Sequence, residues 1–316
     1  MRYLAELREG EMVKEVYLCK QLQQLKTKAG KSYYSMLLQD KTGTFDAKVW
    51  ELGPGIEHFE AMDYICIDGQ VTSFQGALQL NVKRVRKCQE GEYDPSDYMP
   101  TTTRDIEEMY KELLGYVAKV KESHLQALLA SYFVEDKDFI KRFKKHSAAK
   151  AVHHGFIGGL LEHTLGVAKF CDFMADAYPI LKKDLLLTAA MFHDIGKLDE
   201  ISPFPENDYT DDGNLLGHIY IGATRISERI RTISGFPKKL EGELIHCILA
   251  HHGELEYGSP KKPAIAEAMA LNMADNADAK MQTMKELFAG AEEKTEWLGY
   301  QRLFESNIKR TSEYGK

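Results

Sequence analysis

Phe192-His193-Asp194-Ile195-Gly196-Lys197 is the stretch on which the reading of this chain turns. Adjacent side chains on a straight helix diverge by about 100°. His193 and Asp194 can therefore serve one centre only where a helix ends. Gly196 fits such an ending, because glycine readily takes the left-handed conformation that stops helices. Lys197 is then expected to project towards the same mouth, where a cation can hold an anionic group; the alternative is an ordinary solvated lysine. A His-Asp dipeptide alone carries little information. What matters is its company.

Of the 11 histidines, only His58 falls in the first third of the chain. His124 and His146 precede the rest, which are His153, His154, His163, His193, His218, His246, His251 and His252. Four sit in distinctive surroundings: Gly158-Gly159-Leu160-Leu161-Glu162-His163-Thr164, the His193-Asp194 stretch, Gly217-His218-Ile219 and His251-His252-Gly253. Asp275 follows within Asn272-Met273-Ala274-Asp275-Asn276. A histidine, then a His-Asp pair, then a distant aspartate, all on helices, resembles the HD-domain phosphohydrolase superfamily over roughly residues 150–280. The resemblance implies that His163, His193, Asp194 and Asp275 are metal ligands. It further implies that His218 and the His251-His252 pair hold a second metal or grip the phosphate. Which of His251 and His252 faces inward is open, and one is expected to play a supporting or solvent-facing part. Imidazole mixed with carboxylate suits Mn²⁺, Fe²⁺, Co²⁺ or Zn²⁺, and one or two ions are expected. The mechanism implied is hydrolysis by metal-activated water, with Asp194, Lys197 and His218 in catalytic roles. His154 is a weaker candidate for touching substrate. Asp278, one turn after Asp275, either orients a ligand from behind or is a surface carboxylate. His246 reads as packed.

From Met12 to about Lys87 the pattern is of short strands with period-2 alternation. Strands are expected at Met12–Lys20, Lys31–Gln39, Thr44–Glu51, Tyr64–Thr72 and Ala77–Arg86, with turns at Lys28-Ala29-Gly30, Asp40-Lys41-Thr42-Gly43 and Gln75-Gly76. Phe45, Ala47 and Val49 alternate with Asp46, Lys48 and Trp50, and Leu78, Leu80 and Val82 with Gln79, Asn81 and Lys83. Residues Gly53 to Met62 have room for the short helix that commonly closes a five-stranded OB barrel. The expected fold is thus multi-domain α and β: an N-terminal five-stranded OB-fold barrel (1–90), a polar linker (91–104) and an all-α HD domain (105–316). Thr103 or Asp105 is expected to cap the first helix, whose apolar stripe includes Ile106, Met109, Leu113 and Val117. Further helices are expected near 121–133, 136–147, 159–177, 183–193, 216–234, 238–251 and 263–288, with Pro203–Leu215 as the longest irregular interruption.

Composition sets the outer bounds. Hydrophobic residues at 44% and charged residues at 28% are those of a soluble globular chain. The five cysteines show no CxxC spacing, so neither a zinc ribbon nor a disulfide framework is expected. Without a long apolar run, a cytoplasmic protein with no membrane partner is expected. A net charge of −7 argues against coating duplex DNA through a bulk basic surface. No Walker loop or GxSxG elbow competes with the histidine series.

OB barrels commonly bind single strands by stacking bases on exposed rings while cations follow the backbone. The candidates are Tyr33, Tyr34, Trp50 and Phe74 with Lys48, Lys83 and Arg84. Alternation lets only one of Tyr33 and Tyr34 face the groove, and Trp50 is the leading stacking residue. An N-terminal OB-fold joined to an HD domain carrying LLEHT, FHDIGK, LLGHI and HHGELEYGSP is similar to the YhaM family of bacterial 3′-to-5′ exoribonucleases. That resemblance implies a metal-dependent nuclease, Mn²⁺-preferring, that hydrolyses single-stranded RNA and also DNA. Homo-oligomer formation is compatible with it. The rival reading is an HD-type nucleotide phosphohydrolase whose barrel is regulatory; a non-catalytic single-strand binder is a third.

Overall fold

The computed structural model describes all residues except 28, 75, 151–153, 290, 292–295 and 313–316, so the expectations placed on Lys28, Gln75 and His153 lie outside the described residues. The chain divides into two compact units, Met1–Thr101 with Phe204–Glu206, and Thr102–Pro203 with Asn207–Lys316.

The first unit is built on five strands, β1 (Met12–Lys26), β2 (Ser32–Asp40), β3 (Gly43–Val49), β4 (Tyr64–Phe74) and β5 (Ala77–Lys87), closed in the order β1-β2-β3-β5-β4. β1 serves two neighbours: Met12–Leu18 pairs with β4 and Leu18–Lys26 with β2, with an irregularity between Cys19 and Gln21 where the strand changes partners. Such a bulge bends a strand. A short parallel contact, Ala47↔Leu80 and Lys48↔Asn81, completes the barrel. The alternation expected of β3 and β5 places Ala47, Val49, Leu80 and Val82 in the core. Leu78, expected to pack, is exposed near the hairpin tip. This is the OB-like barrel expected of the N-terminal region.

No helix forms between β3 and β4. Gly53, Pro54 and Gly55 withhold helical propensity, and the segment turns instead, pinned by an Ile56↔Val85 bridge. Phe59 fills the barrel end that the expected helix would close, meeting Tyr34 edge-on at 5.9 Å. The polar segment read as a linker is also packed over much of its length. Tyr93 stacks on Tyr64 at 3.8 Å, Tyr98 meets Tyr64 edge-on at 5.0 Å, and the Gln39 amide donates to the Tyr98 carbonyl at 3.1 Å. Aromatic residues interleaved among the turn formers hold this segment against the barrel.

The second unit contains α1 (Ile106–Val117), α2 (Ser123–Phe133), α3 (Lys137–Lys145), α4 (Gly159–Ala177), α5 (Lys183–Phe192), α6 (Lys197–Glu200), α7 (Asp211–Ile230), α8 (Lys238–Ala250) and α9 (Ala266–Ala289). Carboxylates start the first three: Asp105 accepts from the Glu108 amide, Glu122 from Leu125 and Asp136 from Phe139. Such caps satisfy amide groups that lack partners within the helix. The C-terminal region is not purely helical: Trp297–Gln301 (β6) and Ser306–Lys309 (β7) form an antiparallel pair, with Gly299 at positive φ at the irregularity between them. Among the described residues no helix is long and apolar enough to cross a membrane.

Helix α5 decides where the site lies. Every residue from Leu185 to Phe192 is buried, which makes this an interior helix rather than an amphipathic surface one. Its C-terminus consequently delivers His193 and Asp194 to the inside of the unit. Beside it, Phe133, Phe139, Phe143 and Phe192 pack ring against ring with centroids 5.3–5.6 Å apart. Removing the Phe133 ring leaves a cavity that this cluster cannot collapse into. Phe133→Ala is expected to cost about 3–5 kcal/mol, read as a lowered urea midpoint for the helical signal in circular dichroism.

Candidate metal centre

α5 ends at Phe192, so His193 and Asp194 turn away from the helix axis together, as their adjacency requires. The stop differs from the expected one. Gly196 is right-handed, at φ −63 and ψ −22. Its lack of a side chain serves close packing instead: a Cβ there would stand 2.0 Å from the His218 carbonyl oxygen and 2.7 Å from the Gly222 amide nitrogen. Gly196 thus lets α7 approach the His-Asp turn. α7 breaks at Gly217, with φ 73 and ψ 155, and His218 opens its second segment.

Five imidazoles meet near this turn, and in each the Nδ1 position is committed. His193 Nδ1 donates to the Ala190 carbonyl at 2.8 Å and His251 Nδ1 to the Ile248 carbonyl at 2.7 Å. The two histidines use the same device, reaching back three residues from the end of a helix. His252 Nδ1 donates to the Tyr257 carbonyl at 2.8 Å, His163 Nδ1 to Asp278 at 2.8 Å and His218 Nδ1 to Glu200 at 2.8 Å. A neutral ring that donates through Nδ1 presents a lone pair at Nε2.

The Nε2 atoms of His163, His193, His218 and His251 face two carboxylates. His163 Nε2 lies 3.1 Å from Asp275 Oδ1, 3.4 Å from Asp194 Oδ2 and 3.1 Å from His193 Nε2. His193 Nε2 lies 3.3 Å from Asp194 Oδ2 and 3.9 Å from Asp275 Oδ1. Donors bound at about 2.1 Å to one ion stand roughly 3.0–3.4 Å apart, which is close to the spacing of this set. Asp194 Oδ1 turns the other way, 3.5 Å from His218 Nε2 and 3.7 Å from His251 Nε2. The donor atoms of His218, His251 and His252 all lie within 4.8 Å of one another. Both members of the His251-His252 pair lie in this cluster, His251 buried and His252 half-buried. Among the described residues, Asp194 Oδ1, His218 Nε2 and His251 Nε2 are buried without a hydrogen-bond partner, and buried polar atoms left so are costly. A divalent cation fits the donor set of His218, His251 and Asp194 Oδ1, where it would satisfy all three orphaned atoms.

Charge state follows from surroundings. Burial, then the neighbouring His252, keep His251 neutral, well below the usual histidine range. Burial also lowers His252, followed by the effect of His218. Burial opposes ionisation of Asp194, but Lys197 and the surrounding histidines outweigh it and hold the carboxyl well below its ordinary range. For His163 burial is again opposed and outweighed, by Asp194, Asp275 and Asp278, so its pKa is raised well above normal while no cation competes. Lys197 is no solvated lysine. Its ammonium lies 2.6 Å from Asp194 Oδ2, and it lines a cavity of about 280 Å³ with His154, His163, Glu200, His218, His252 and Asp275.

Two acids gain weight from the structure. Glu200, which sequence reading passed over, accepts from both the amide and the ring of His218 through Oε1, at 2.9 and 2.8 Å. Its only sequence signal is its place one turn after Lys197. Asp278 accepts from His163 and, at 3.1 Å, from His154. Gly166 makes room for it, since a Cβ there would fall 2.0 Å from Asp278 Oδ1. His246 accepts from the Ala264 amide at 2.9 Å and takes no part in the centre.

On the barrel, Tyr33 stacks on Trp50 with ring centroids 4.7 Å apart, while Tyr34 turns to the core side. Trp50 is 41% exposed and Phe74, at the end of β4, 62%. Lys48 is largely covered, its ammonium 2.6 Å from Ser35 Oγ, so it is less free to follow a phosphate backbone than expected. Lys83 and Arg84 line a cavity of about 700 Å³ together with Lys14 and Arg86.

Residues 160–280 match the HD domain family. That span holds every member of the two donor groups around Asp194. The helical unit thus contains an HD domain, which implies a metal-dependent phosphohydrolase. Among solved structures, the chain is similar to a replication protein A heterotrimer bound to ssDNA, at 16% identity and a TM-score of 0.22, over 28% of this chain and 65% of that one. It is also similar to the p204 HINb domain, at 19% identity and a TM-score of 0.23, over 27% and 44%. The second OB-fold domain of replication protein A from Methanococcus maripaludis matches at 18% identity and a TM-score of 0.21, over 29% and 98%. The chain thus spans less than two thirds of the first two of these.

Asp278 generates a pH signature. Burial opposes it, yet hydrogen bonds from His163 and His154 bring its carboxyl down to about 2, against roughly 3.9 in an unfolded chain. A depressed carboxyl stabilises the fold fully above the unfolded value and loses that contribution as pH falls through the folded one. In chelator, Asp278→Asn is expected to lose about 2 kcal/mol at pH 6, a gap that closes between about pH 4 and pH 2. Denaturant midpoints across that range measure it; a gap independent of pH would contradict the assignment.

Proposed function

We propose that this chain is a metal-dependent 3′-to-5′ exonuclease that hydrolyses phosphodiester bonds of single-stranded RNA, and also of DNA. The observation that carries the reading is the orphaned triplet Asp194 Oδ1, His218 Nε2 and His251 Nε2, buried and unpartnered around one carboxylate. Polarity and RNA preference rest on the resemblance to YhaM-type exoribonucleases, not on residue chemistry.

In this reading His163, His193, Asp194 and Asp275 would hold one divalent ion. His218, His251 and His252, with the second oxygen of Asp194, would hold another. Mn²⁺ suits such mixed nitrogen and oxygen donors. A bound ion supplies Lewis acidity, which makes water acidic enough to attack at neutral pH and polarises a phosphoryl oxygen.

The chain's own groups prepare that chemistry. Glu200 and Asp278 fix the rings of His218 and His163, so that their Nε2 atoms are aimed before any ligand arrives. Lys197 offsets the buried charge of Asp194 and stands in the cavity wall, placed to attract an anionic phosphate and the charge that gathers on it. On the barrel, Tyr33 and Trp50 offer a two-ring platform with Phe74 exposed at the hairpin end, and Lys83 and Arg84 add positive charge. Stacking with cationic support is the sequence-tolerant way to hold single strands.

Three measurements test this. Elemental analysis of the purified protein is expected to find one to two transition-metal ions per chain, largely lost in His193→Ala. With Mn²⁺ and a 5′-labelled oligoribonucleotide, progressive shortening from the 3′ end is expected, abolished by chelation and reduced at least about a hundredfold in Asp194→Ala with strand binding retained. Inert oligonucleotides alongside hydrolysed free nucleotides would favour the rival nucleotide phosphohydrolase. Trp50→Ala is expected to weaken single-strand affinity about five- to a hundredfold, followed by fluorescence anisotropy.

A further inference from the structure

A second cavity, of about 350 Å³, opens against the metal centre and shares His252 and Asp275 with it. Its remaining wall contains three solvent-exposed polar side chains. Among the described residues, the Tyr257 hydroxyl, the Asn276 amide and the Lys280 ammonium have no hydrogen-bond or ion-pair partner. Asn276 and Lys280 are spaced i, i+4 on α9, which stacks them on one face, next to the position of Asp275. Tyr257 comes from the turn after the histidine pair. Its carbonyl is fixed by His252 Nδ1 at 2.8 Å, while its ring is 67% exposed. Leu303, from the segment between β6 and β7, supplies an apolar wall.

An aromatic face, an amide able both to donate and to accept, and a cation together match one nucleotide: ring for base, amide for base edge or ribose hydroxyl, ammonium for phosphate. The volume is at the low end for ligand cavities, so it suits one nucleoside rather than a length of strand. We propose that this cavity binds one nucleoside monophosphate, with Tyr257, Asn276 and Lys280 as its binding residues. The inference rests on the nuclease reading for its biological meaning and on the cavity alone for its chemistry.

The test is titration of the full-length Mn²⁺-loaded protein with adenosine 5′-monophosphate and, separately, with inorganic phosphate, by calorimetry. Tyr257→Ala is expected to weaken the nucleotide about tenfold or more, leaving phosphate affinity and metal content within twofold, and Tyr257→Phe to restore it. Asn276→Ala, which leaves the His252 anchor intact, is expected to weaken the nucleotide selectively as well. Nucleotide affinity indifferent to both alanine variants, equal losses of nucleotide and phosphate, or no nucleotide binding by the parent protein would each overturn the proposal. The two readings fail separately. Intact oligonucleotides with Tyr257-dependent nucleotide binding would sink the nuclease alone, whereas trimmed RNA with indifferent nucleotide binding would sink the cavity alone.

Discussion

A carboxylate buried at the end of an apolar helix is the constraint around which the helical unit is organised. Asp194 lies in the interior because α5, which delivers it, is buried along nearly all of its length. An isolated buried charge costs several kcal/mol unless it is compensated. Compensation comes from Lys197 at 2.6 Å on one side, and from imidazoles facing both oxygens. The two oxygens face different histidine groups, so one side chain joins both halves of the centre. Everything else in the unit aims those rings or allows them to approach.

Aiming is done from behind. Backbone carbonyls hold His193, His251 and His252, and carboxylates hold His163 and His218. A carboxylate behind an imidazole raises its basicity more than a carbonyl does, so the rings of each group differ in donor strength. Approach is allowed by removal of side chains. Without Gly196 the His218 segment would be held off the His-Asp turn, and without Gly166 the acid behind His163 would have no place. Gly196 and Gly166 therefore act through distance rather than through helix termination.

The barrel contributes a different kind of surface. Tyr33 on β2 stacks on Trp50, just past the end of β3, while their neighbours Tyr34 and Val49 pack into the core. That division follows from pleat geometry, which sends successive side chains to opposite faces. The barrel is closed by only two parallel residue pairs between β3 and β5. With Phe59 buried in its core, it manages without the helix that the β3–β4 segment was expected to form.

Much of this was legible in the chain itself. Period-2 alternation marked the five strands, and an apolar stripe with a cap at Thr103 or Asp105 marked the first helix, because such signals are local. The identities of His163, His193, Asp194, His218, His251, His252 and Asp275 were legible too, since their residue types and order carry the pattern. What tertiary structure decided is which atoms meet. Glu200 behind His218, Asp278 behind both His163 and His154, and the gathering of His218 with His251 and His252 all depend on segments distant in sequence being brought close together. No local signal encodes such a distance. Gly196 shows the limit most clearly: the sequence marks that a glycine is needed there, and only the packing of α7 shows that the need is for space rather than for a left-handed turn.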